Sequence, residues 1–195
     1  GIVGLPNVGK STLFNALTQA GAAVANYPFT TIEPNIGVVP VPDPRLDALA
    51  ALIQPDKVVP ATLRVVDIAG LVRGASQGEG LGNEFLSHSR AVDAIAMVVR
   101  CFVDGQGPHV TAALHPVDDM ETVDLELMLS DLQILDRHLE RLQSRAKANP
   151  REFAEELALV ERVMACLRQG MPLRRQGLTA EEQYLLREVA LLTNK

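Results

Sequence analysis

A loop near the start of the chain has the residue types and spacing of a phosphate-binding site. It contains, in order, Gly4, Leu5, Pro6, Asn7, Val8, Gly9, Lys10, Ser11 and Thr12. Glycine adopts backbone conformations that a Cβ forbids, so N–H groups there can turn inward around phosphate oxygens. Lys10 can reach the β- and γ-phosphates and Ser11 can ligate Mg²⁺, while the helix that follows presents its positive N-terminal end. The sequence therefore predicts a nucleotide-binding site formed by Asn7, Val8, Gly9, Lys10, Ser11 and Thr12.

A second motif completes the chemistry that a nucleoside triphosphate requires. Asp67 ends an apolar strand pattern, and Gly70 follows it three residues later. The carboxylate is expected to hold a water on Mg²⁺, and the glycine N–H can sense the γ-phosphate. Thr31 is the predicted second protein oxygen on the metal, with Thr30 as the neighbouring alternative. The predicted metal-binding set is thus Ser11, Thr31 and Asp67.

Strand and helix patterns alternate around these motifs and predict an α/β fold. Apolar and β-branched runs at 37–41, 62–67 and 94–102 indicate strands, and helical patterns separate them. Such alternation is typical of a parallel, doubly wound sheet. The five glycines from Gly70 to Gly82, counting both ends, are too many for a regular element.

Beyond Asp118 the pattern changes to that of two long helices. Apolar residues alternate spacings of three and four up to the break at Asn149-Pro150, and the same spacing resumes from Phe153. The first helix contributes Leu125, Met128, Leu132, Leu135, Leu139, Leu142 and Ala146 to this seam. We therefore expect an antiparallel coiled-coil hairpin, followed by a third helix that opens at the Thr179-x-x-Glu182 capping box and runs to about residue 191.

The composition limits the class of protein. Hydrophobic residues make up 47% of 195, enough for an ordinary core, and the formal net charge of −6 argues against diffuse binding of nucleic acid. No apolar run has the length of a membrane span and no leader precedes Ile2, so we expect a cytoplasmic protein that binds no membrane. Two cysteines are too few for a disulfide framework. Both ends of the chain look cut, which is typical of a fragment.

Three stretches carry a resemblance to a known family. They are Asn7-Val8-Gly9-Lys10-Ser11-Thr12, the run from Tyr27 to Asn35, and Asp67-Ile68-Ala69-Gly70-Leu71-Val72. They resemble the Obg class of translation-associated P-loop GTPases, and the run from Gly74 to Asn83 and the hairpin resemble its YchF family, the Obg-like ATPases. The resemblance implies a Ras-like P-loop NTPase domain with an inserted hairpin, Mg²⁺-dependent ATP hydrolysis, and association with the ribosome or its large subunit.

The same resemblance implies a domain division. Residues 1–117 form the first part of the NTPase domain, residues 118–178 the helical insertion, and residues 179–195 a helix leading back. The rest of the NTPase domain and a TGS domain are expected to follow. The base-reading motif, N-K-x-D for GTP or N-x-x-E in this family, is expected beyond the next strand, and neither form occurs in the sequence after the hairpin turn. Asn194-Lys195 is not its beginning, because a strand should intervene first.

Two other functions remain open from the sequence. One is an Obg-type GTPase, and the other is a ribosome- or protein-binding module whose nucleotide site only sets conformation. Asn7 corresponds to an asparagine that holds K⁺ near the phosphates in some relatives, although it can equally serve only to stabilise the loop.

Cations on the hairpin are the candidate ribosome contact. Arg137, Arg141 and Arg145 recur every four residues and share one helix face, with Lys147 and Arg151 near the turn. Their position near a helix C-terminus, opposite Asp118 and Asp119 at the start, also fits the helix dipole alone. The family resemblance favours contact with ribosomal RNA and protein.

The position that usually holds the water-orienting glutamine carries a different residue in this sequence. Leu71 follows Gly70, where Ras-like enzymes carry glutamine, and leucine cannot orient water. Lys10 and His109 are the predicted catalytic residues; His109 lies in a glycine-containing loop after the strand ending near Phe102, where such loops border the ligand crevice. The resemblance implicates it in hydrolysis. Glu79, Glu84 and a residue supplied by the ribosome remain alternatives, and an ordinary exposed loop histidine is the simpler interpretation.

Overall fold

The computed structural model describes residues 1–19, 23–24, 35–68, 81–102 and 114–195. Five strands form one sheet: β1 (Ile2–Val3), β2 (Ala23–Val24), β3 (Asn35–Pro40), β4 (Thr62–Asp67) and β5 (Ala96–Met97). Six α-helices accompany them: α1 (Lys10–Gln19), α2 (Pro44–Ile53), α3 (Leu81–Arg90), α4 (Pro116–Ala146), α5 (Pro150–Arg168) and α6 (Ala180–Leu186). Within these described residues no helix is long and apolar enough to cross a membrane.

The sheet confirms the α/β P-loop class but is mixed in direction. Its order is β2-β3-β4-β1-β5, and β1 pairs in parallel with both β4 and β5. In contrast to the all-parallel prediction, β3 is antiparallel to both β2 and β4. Helix α2, which connects β3 to β4, buries none of its residues. Because α2 does not pack on a sheet face, the connection acts as a long hairpin loop instead of a parallel crossover.

The predicted strand at 94–102 is much shorter in the structure. Only Ala96–Met97 pairs with β1, and β5 forms an edge of the described sheet. Ala94 and Ala96 are exposed, so this apolar run is not covered on both faces as its composition suggested. An apolar run shows that burial is favourable, but it does not say how many residues pair.

The helical hairpin forms as its periodicity predicts. Helix α4 has 31 residues, which corresponds to a length of roughly 46 Å at ~1.5 Å per residue, and α5 packs along its second half. The shared core includes Met128, Leu135 and Leu142 from α4. Leu125 is wrong as a seam residue, since it is 51% exposed. It precedes the part of α4 that faces α5.

Local capping signals were informative at some helix ends and not at others. Asp43 accepts from the Arg45 N–H at 2.9 Å, and Thr179 and Glu182 form the reciprocal capping box. At Asn149 the side chain caps no backbone N–H and instead donates to the Glu152 carboxylate at 3.1 Å. Helix α6 ends at Leu186, short of the predicted end, and a 3₁₀ turn at Arg187–Val189 follows.

Helix α4 belongs to two hydrophobic cores. Val123 and Leu127 pack with β-sheet residues and with Leu192 near the C-terminus. Met128, the next residue, already packs with α5 and the rest of the hairpin. One continuous helix therefore joins the core that contains Leu5 and Val8 of the predicted phosphate loop to the core of the hairpin.

Candidate phosphate-binding site

The predicted phosphate loop adopts the backbone that glycine and asparagine permit. Gly4, Asn7 and Gly9 have φ angles of 155°, 61° and 101°. A Cβ on Gly4 would lie 2.4 Å from the Val98 carbonyl oxygen, so glycine is required where the loop leaves β1. Asparagine tolerates the left-handed region better than most residues, which accounts for its presence at the centre of the loop.

Lys10 lies beneath the loop in a position suited to a phosphate. It is 7% exposed, and its Nζ donates to the Leu5 carbonyl oxygen at 2.8 Å. Burial lowers the pKa of this lysine, and the negative charge of Asp67 opposes the shift. A buried cation with one backbone partner keeps two further N–H donors that can bind phosphate oxygens. Sequence reasoning did not anticipate the Leu5 contact, because a backbone carbonyl leaves no signal in residue type.

The two predicted metal-binding groups that the structure describes lie together. The Ser11 hydroxyl donates to Asp67 Oδ2 at 2.7 Å, although the residues are 56 positions apart. Asp67 is 8% exposed. Hydroxyl and carboxylate oxygens are the ligand types that Mg²⁺ prefers, and such sites keep several waters. Among the described residues, two oxygen donors without a nitrogen or sulfur ligand beside them suit Mg²⁺ better than a soft transition metal.

Strand pairing brings these groups to the carboxyl-terminal ends of the neighbouring strands β1 and β4. Ile2 of β1 is in register with Asp67 of β4, and the Ile68 N–H donates to the Ile2 carbonyl oxygen at 3.2 Å. Helix α1 starts at Lys10, and its first hydrogen bond runs from the Leu13 N–H to the Gly9 carbonyl at 2.9 Å. The carboxyl ends of β1 and β4 and the N-terminus of α1 therefore meet where a triphosphate would bind.

Several predicted site residues lie outside the described residues. These are Thr30, Thr31, Gly70, Leu71, Glu79 and His109; for Glu84 the side chain is likewise not described. Val8 is buried, whereas Thr12 is exposed on the first turn of α1. The described part of the site therefore consists of the loop, Lys10, Ser11 and Asp67.

Lys195 has a role other than base recognition. Its Nζ donates to the carbonyl oxygens of Ser89 and Arg90 at 3.3 and 2.6 Å, at the end of α3. Since this lysine is bound to α3, it does not serve the phosphate loop.

A separate cavity of about 560 Å³ lies beside the amino ends of the strands. Its walls are mainly apolar and include Leu13 and Leu17 of α1 and Leu63 and Val65 of β4. None of Lys10, Ser11 and Asp67 lines it. This cavity is therefore not the phosphate site.

The fold and the loop together define a P-loop nucleotide-binding protein. The family described as 50S ribosome-binding GTPase matches residues 1–152. The chain belongs to this family, and the resemblance to its YchF members is confirmed by the relatives that follow.

Two curated relatives are identical to this chain at about half of the 195 aligned positions. "Ribosome-binding ATPase YchF" of Haemophilus influenzae is 53% identical over 195 residues, which is 100% of this chain and 54% of the relative. The Bacillus subtilis protein of the same name is 50% identical, with 100% and 53% covered. A solved structure titled "Structure of the Schizosaccharomyces pombe YchF GTPase" has a TM-score of 0.80 and 44% identity, again over 100% of this chain and 53% of that one. The chain thus spans about half the length of the relatives it matches.

The geometry of the loop predicts the effect of removing its charge and its hydroxyl. We expect Lys10→Ala to lower the affinity for a Mg²⁺–nucleoside triphosphate by at least about 100-fold, because a charge-assisted contact worth roughly 3 kcal/mol is lost. Ser11→Ala should abolish the gain in affinity that Mg²⁺ confers while leaving binding in EDTA unchanged. Isothermal titration with and without Mg²⁺ measures both effects.

Two exposed residues of the same types provide matched controls for these variants. Lys57→Ala and Ser144→Ala alter exposed side chains outside the loop and should bind as the unmodified protein does. Unchanged affinity in Lys10→Ala and Ser11→Ala would contradict the assignment of the site.

Proposed function

We propose that this protein is a Mg²⁺-dependent ATPase that hydrolyses ATP to ADP and phosphate and acts as a ribosome-associated switch in the cytoplasm. The observation that carries the proposal is the 2.7 Å contact between Ser11 Oγ and Asp67 Oδ2 beside the buried Lys10. A lysine, a hydroxyl and a carboxylate at the mouth of a glycine loop are the parts that P-loop enzymes use for phosphoryl transfer. We also propose the division into residues 1–117, 118–178 and 179–195.

The described residues suit hydrolysis with in-line attack by water. Backbone N–H groups of the loop and the Lys10 ammonium would hold the β- and γ-phosphates and stabilise the charge that develops on them. Ser11 and Asp67, with Thr31, would hold Mg²⁺, which when bound offsets the negative charge shared by the β- and γ-phosphate oxygens. The water oxygen bonds to the γ-phosphorus while the bond to the bridging oxygen breaks, giving ADP and inorganic phosphate. Asn7 is proposed to help hold K⁺ beside the phosphates.

ATP is proposed as the substrate because of the names of the relatives. The curated relatives are named ribosome-binding ATPases, whereas the Schizosaccharomyces pombe structure is titled a GTPase. GTP is therefore the second candidate, and the family description also names GTPase.

A nucleotide titration separates the two candidates. The full-length protein, including the base-reading segment, is expected to bind ATP at least about tenfold more tightly than GTP, since one well-placed base contact contributes about 1–3 kcal/mol of discrimination. Competition of each nucleotide against a fluorescent ADP analogue provides the measurement. Tighter binding of GTP would establish the GTPase instead, and equal binding would contradict base selectivity altogether.

His109 is proposed to position the attacking water. The proposal follows from Leu71 at the usual glutamine position and from the sequence position of His109, in a glycine-containing stretch beyond the apolar run 94–102. A neutral imidazole near physiological pH can accept a hydrogen bond from water. Glu79, Glu84 and a ribosomal residue remain the competing choices.

Single-turnover kinetics test this assignment. His109→Ala is expected to slow ATP hydrolysis by about 100-fold, the loss typical of a positioned acid–base group, with ATP affinity nearly unchanged. His115→Ala removes an exposed histidine at the start of α4 and should keep the original rate. If His109→Ala hydrolyses normally while Glu79→Ala does not, the role belongs to Glu79.

The hairpin is proposed to contact ribosomal RNA and protein through its basic face. Arg137 and Arg141 are exposed, and the Arg141 Nε donates to the Arg137 carbonyl oxygen at 3.3 Å. Arg145 differs, because its guanidinium stacks 4.6 Å from the centre of the Phe153 ring and helps join α4 to α5. Arg137 and Arg141 are therefore better choices for substitution than Arg145, whose guanidinium packs on Phe153.

Charge reversal distinguishes RNA contact from a helix-dipole role. The double variant Arg137→Glu, Arg141→Glu is expected to weaken ribosome binding and to reduce the salt dependence by about 0.7–0.9 log unit per lost phosphate contact. Ribosome co-sedimentation at several salt concentrations measures this, with nucleotide affinity as a check on the site. Lys57→Glu with Arg175→Glu changes the net charge equally at exposed positions and should have no such effect. If this hairpin variant binds the ribosome as the unmodified protein does, the arginines interact favourably with the helix dipole but do not contact RNA.

A further inference from the structure

A buried carboxylate on α4 holds the C-terminal segment of the chain. Asp131 has no exposed side-chain surface. Its Oδ1 accepts from the Leu192 N–H at 2.8 Å, and its Oδ2 accepts from the N–H and the hydroxyl of Thr193 at 2.8 Å each. Burial raises the pKa of this carboxyl, and the donors from Thr193 and Leu192 oppose the shift. Asp131 therefore caps the 3₁₀ turn Leu192–Asn194.

Lys195, just beyond that turn, holds the end of α3. Besides Ser89 and Arg90, it donates to the Val92 carbonyl oxygen at 2.5 Å. The last carbonyls of a helix lack intrahelical partners and carry partial negative charge, so a lysine there is stabilising. The C-terminal segment thus binds α4 on one side and α3 on the other.

Arg90, the last residue of α3, contacts α4 directly and so links these two helices. Its guanidinium donates to the Ser130 carbonyl oxygen at 3.3 Å and to the Ser130 hydroxyl, and it lies 3.5 Å from Asp131. It also donates to the Ala190 carbonyl oxygen at 3.2 Å. We call Arg90, Ser130, Asp131, Thr193 and Lys195 the junction cluster.

The junction cluster lies where α4 passes from one core to the other. Leu127 packs with the sheet and Met128 with the hairpin, one turn before Asp131. Helix α3 follows β4 in the chain, and β4 ends at Asp67, the carboxylate that contacts Ser11. The cluster therefore joins the element that follows the metal-binding carboxylate to the helix that extends into the hairpin.

We propose that the junction cluster transmits the nucleotide state of the phosphate loop to the helical hairpin, with Arg90 as the positioning residue that links α3 to α4. The proposal rests on nucleotide binding at the loop and requires no ribosome. Buried polar networks that are fully bonded are rigid. A shift of α3 alone would break the bonds from the Arg90 guanidinium to Ser130 and would remove the countercharge from the buried Asp131 carboxylate, which is costly. Helix α4 must therefore follow α3. By reciprocity, a partner bound to the hairpin would alter nucleotide affinity to the same extent.

Hydrogen exchange on the full-length protein tests the link. In the unmodified protein, a non-hydrolysable ATP analogue with Mg²⁺ is expected to change exchange rates in α4 beyond Asp131 and in α5 by about fivefold or more, the lower end of typical coupling. In Arg90→Gln the analogue should still bind, but the change in the hairpin should fall below about twofold. Arg90→Lys keeps the positive charge but lacks the planar guanidinium group, so it should show only part of the nucleotide-dependent change in hairpin exchange.

A hairpin arginine outside the cluster serves as the control. Arg168 of α5 lies 3.5 Å from Asp136 of α4, and its side chain is 60% exposed. Arg168→Gln should keep the full nucleotide response. A hairpin that does not respond to nucleotide in the unmodified protein, or a full response in Arg90→Gln, would overturn the proposal.

A nucleotide-free measurement separates this proposal from the proposed function. Leu142→Ala removes a buried side chain of the hairpin core, and we expect it to change exchange at the C-terminal turn of α3. That change should vanish when Arg90→Gln is added. If the unmodified protein binds no nucleotide, the proposed function fails. The Leu142→Ala, Arg90→Gln double variant still decides whether Arg90 links α3 to the hairpin. If the change in exchange at α3 persists in this double variant, the link is rejected.

Discussion

The parallel pairing of β1 with β4 is the constraint on which the site depends. Ile2 is in register with Asp67, so the loop that leaves β1 and the carboxylate that ends β4 lie at the same end of the sheet, where the strands have their carboxyl termini. Gly4 lets the loop pass against the Val98 carbonyl, where a Cβ would lie 2.4 Å away. Lys10 and Ser11 then begin a helix whose N-terminus faces the same point. A slip of the strand register by one residue would turn Asp67 to the other face of the sheet.

A second constraint is the continuity of α4. Because Val123 and Leu127 belong to the sheet core while Met128 and Leu135 belong to the hairpin core, the two halves cannot move independently without bending a helix of 31 residues. The buried bonds of Asp131 strengthen this joint at the point of transition. In a family described as binding the ribosome, such an arrangement provides a physical route between a nucleotide and a distant surface.

Local signals predicted local structure well in several places. Thr179 and Glu182 form the capping box that their spacing predicted, and the three-four spacing correctly predicted the paired helices. The same spacing failed at Leu125, because periodicity identifies an apolar stripe but not where its partner begins. The direction of β3 was also wrong, since a helix between two strands suggests a crossover only if that helix packs on the sheet, and α2 does not.

The sequence by itself determined the phosphate loop, the Asp67 motif, the α/β class and the helical hairpin. Each of these is set by residue type at short spacing, through backbone freedom, side-chain chemistry or periodicity. Only the tertiary structure decided that Ser11 touches Asp67, that Lys10 rests on the Leu5 carbonyl, and that Arg90, Asp131 and Lys195 join three segments. These contacts link residues far apart in the chain or use backbone carbonyls. Strand register and core packing establish them, and neither is encoded in any single stretch of residues.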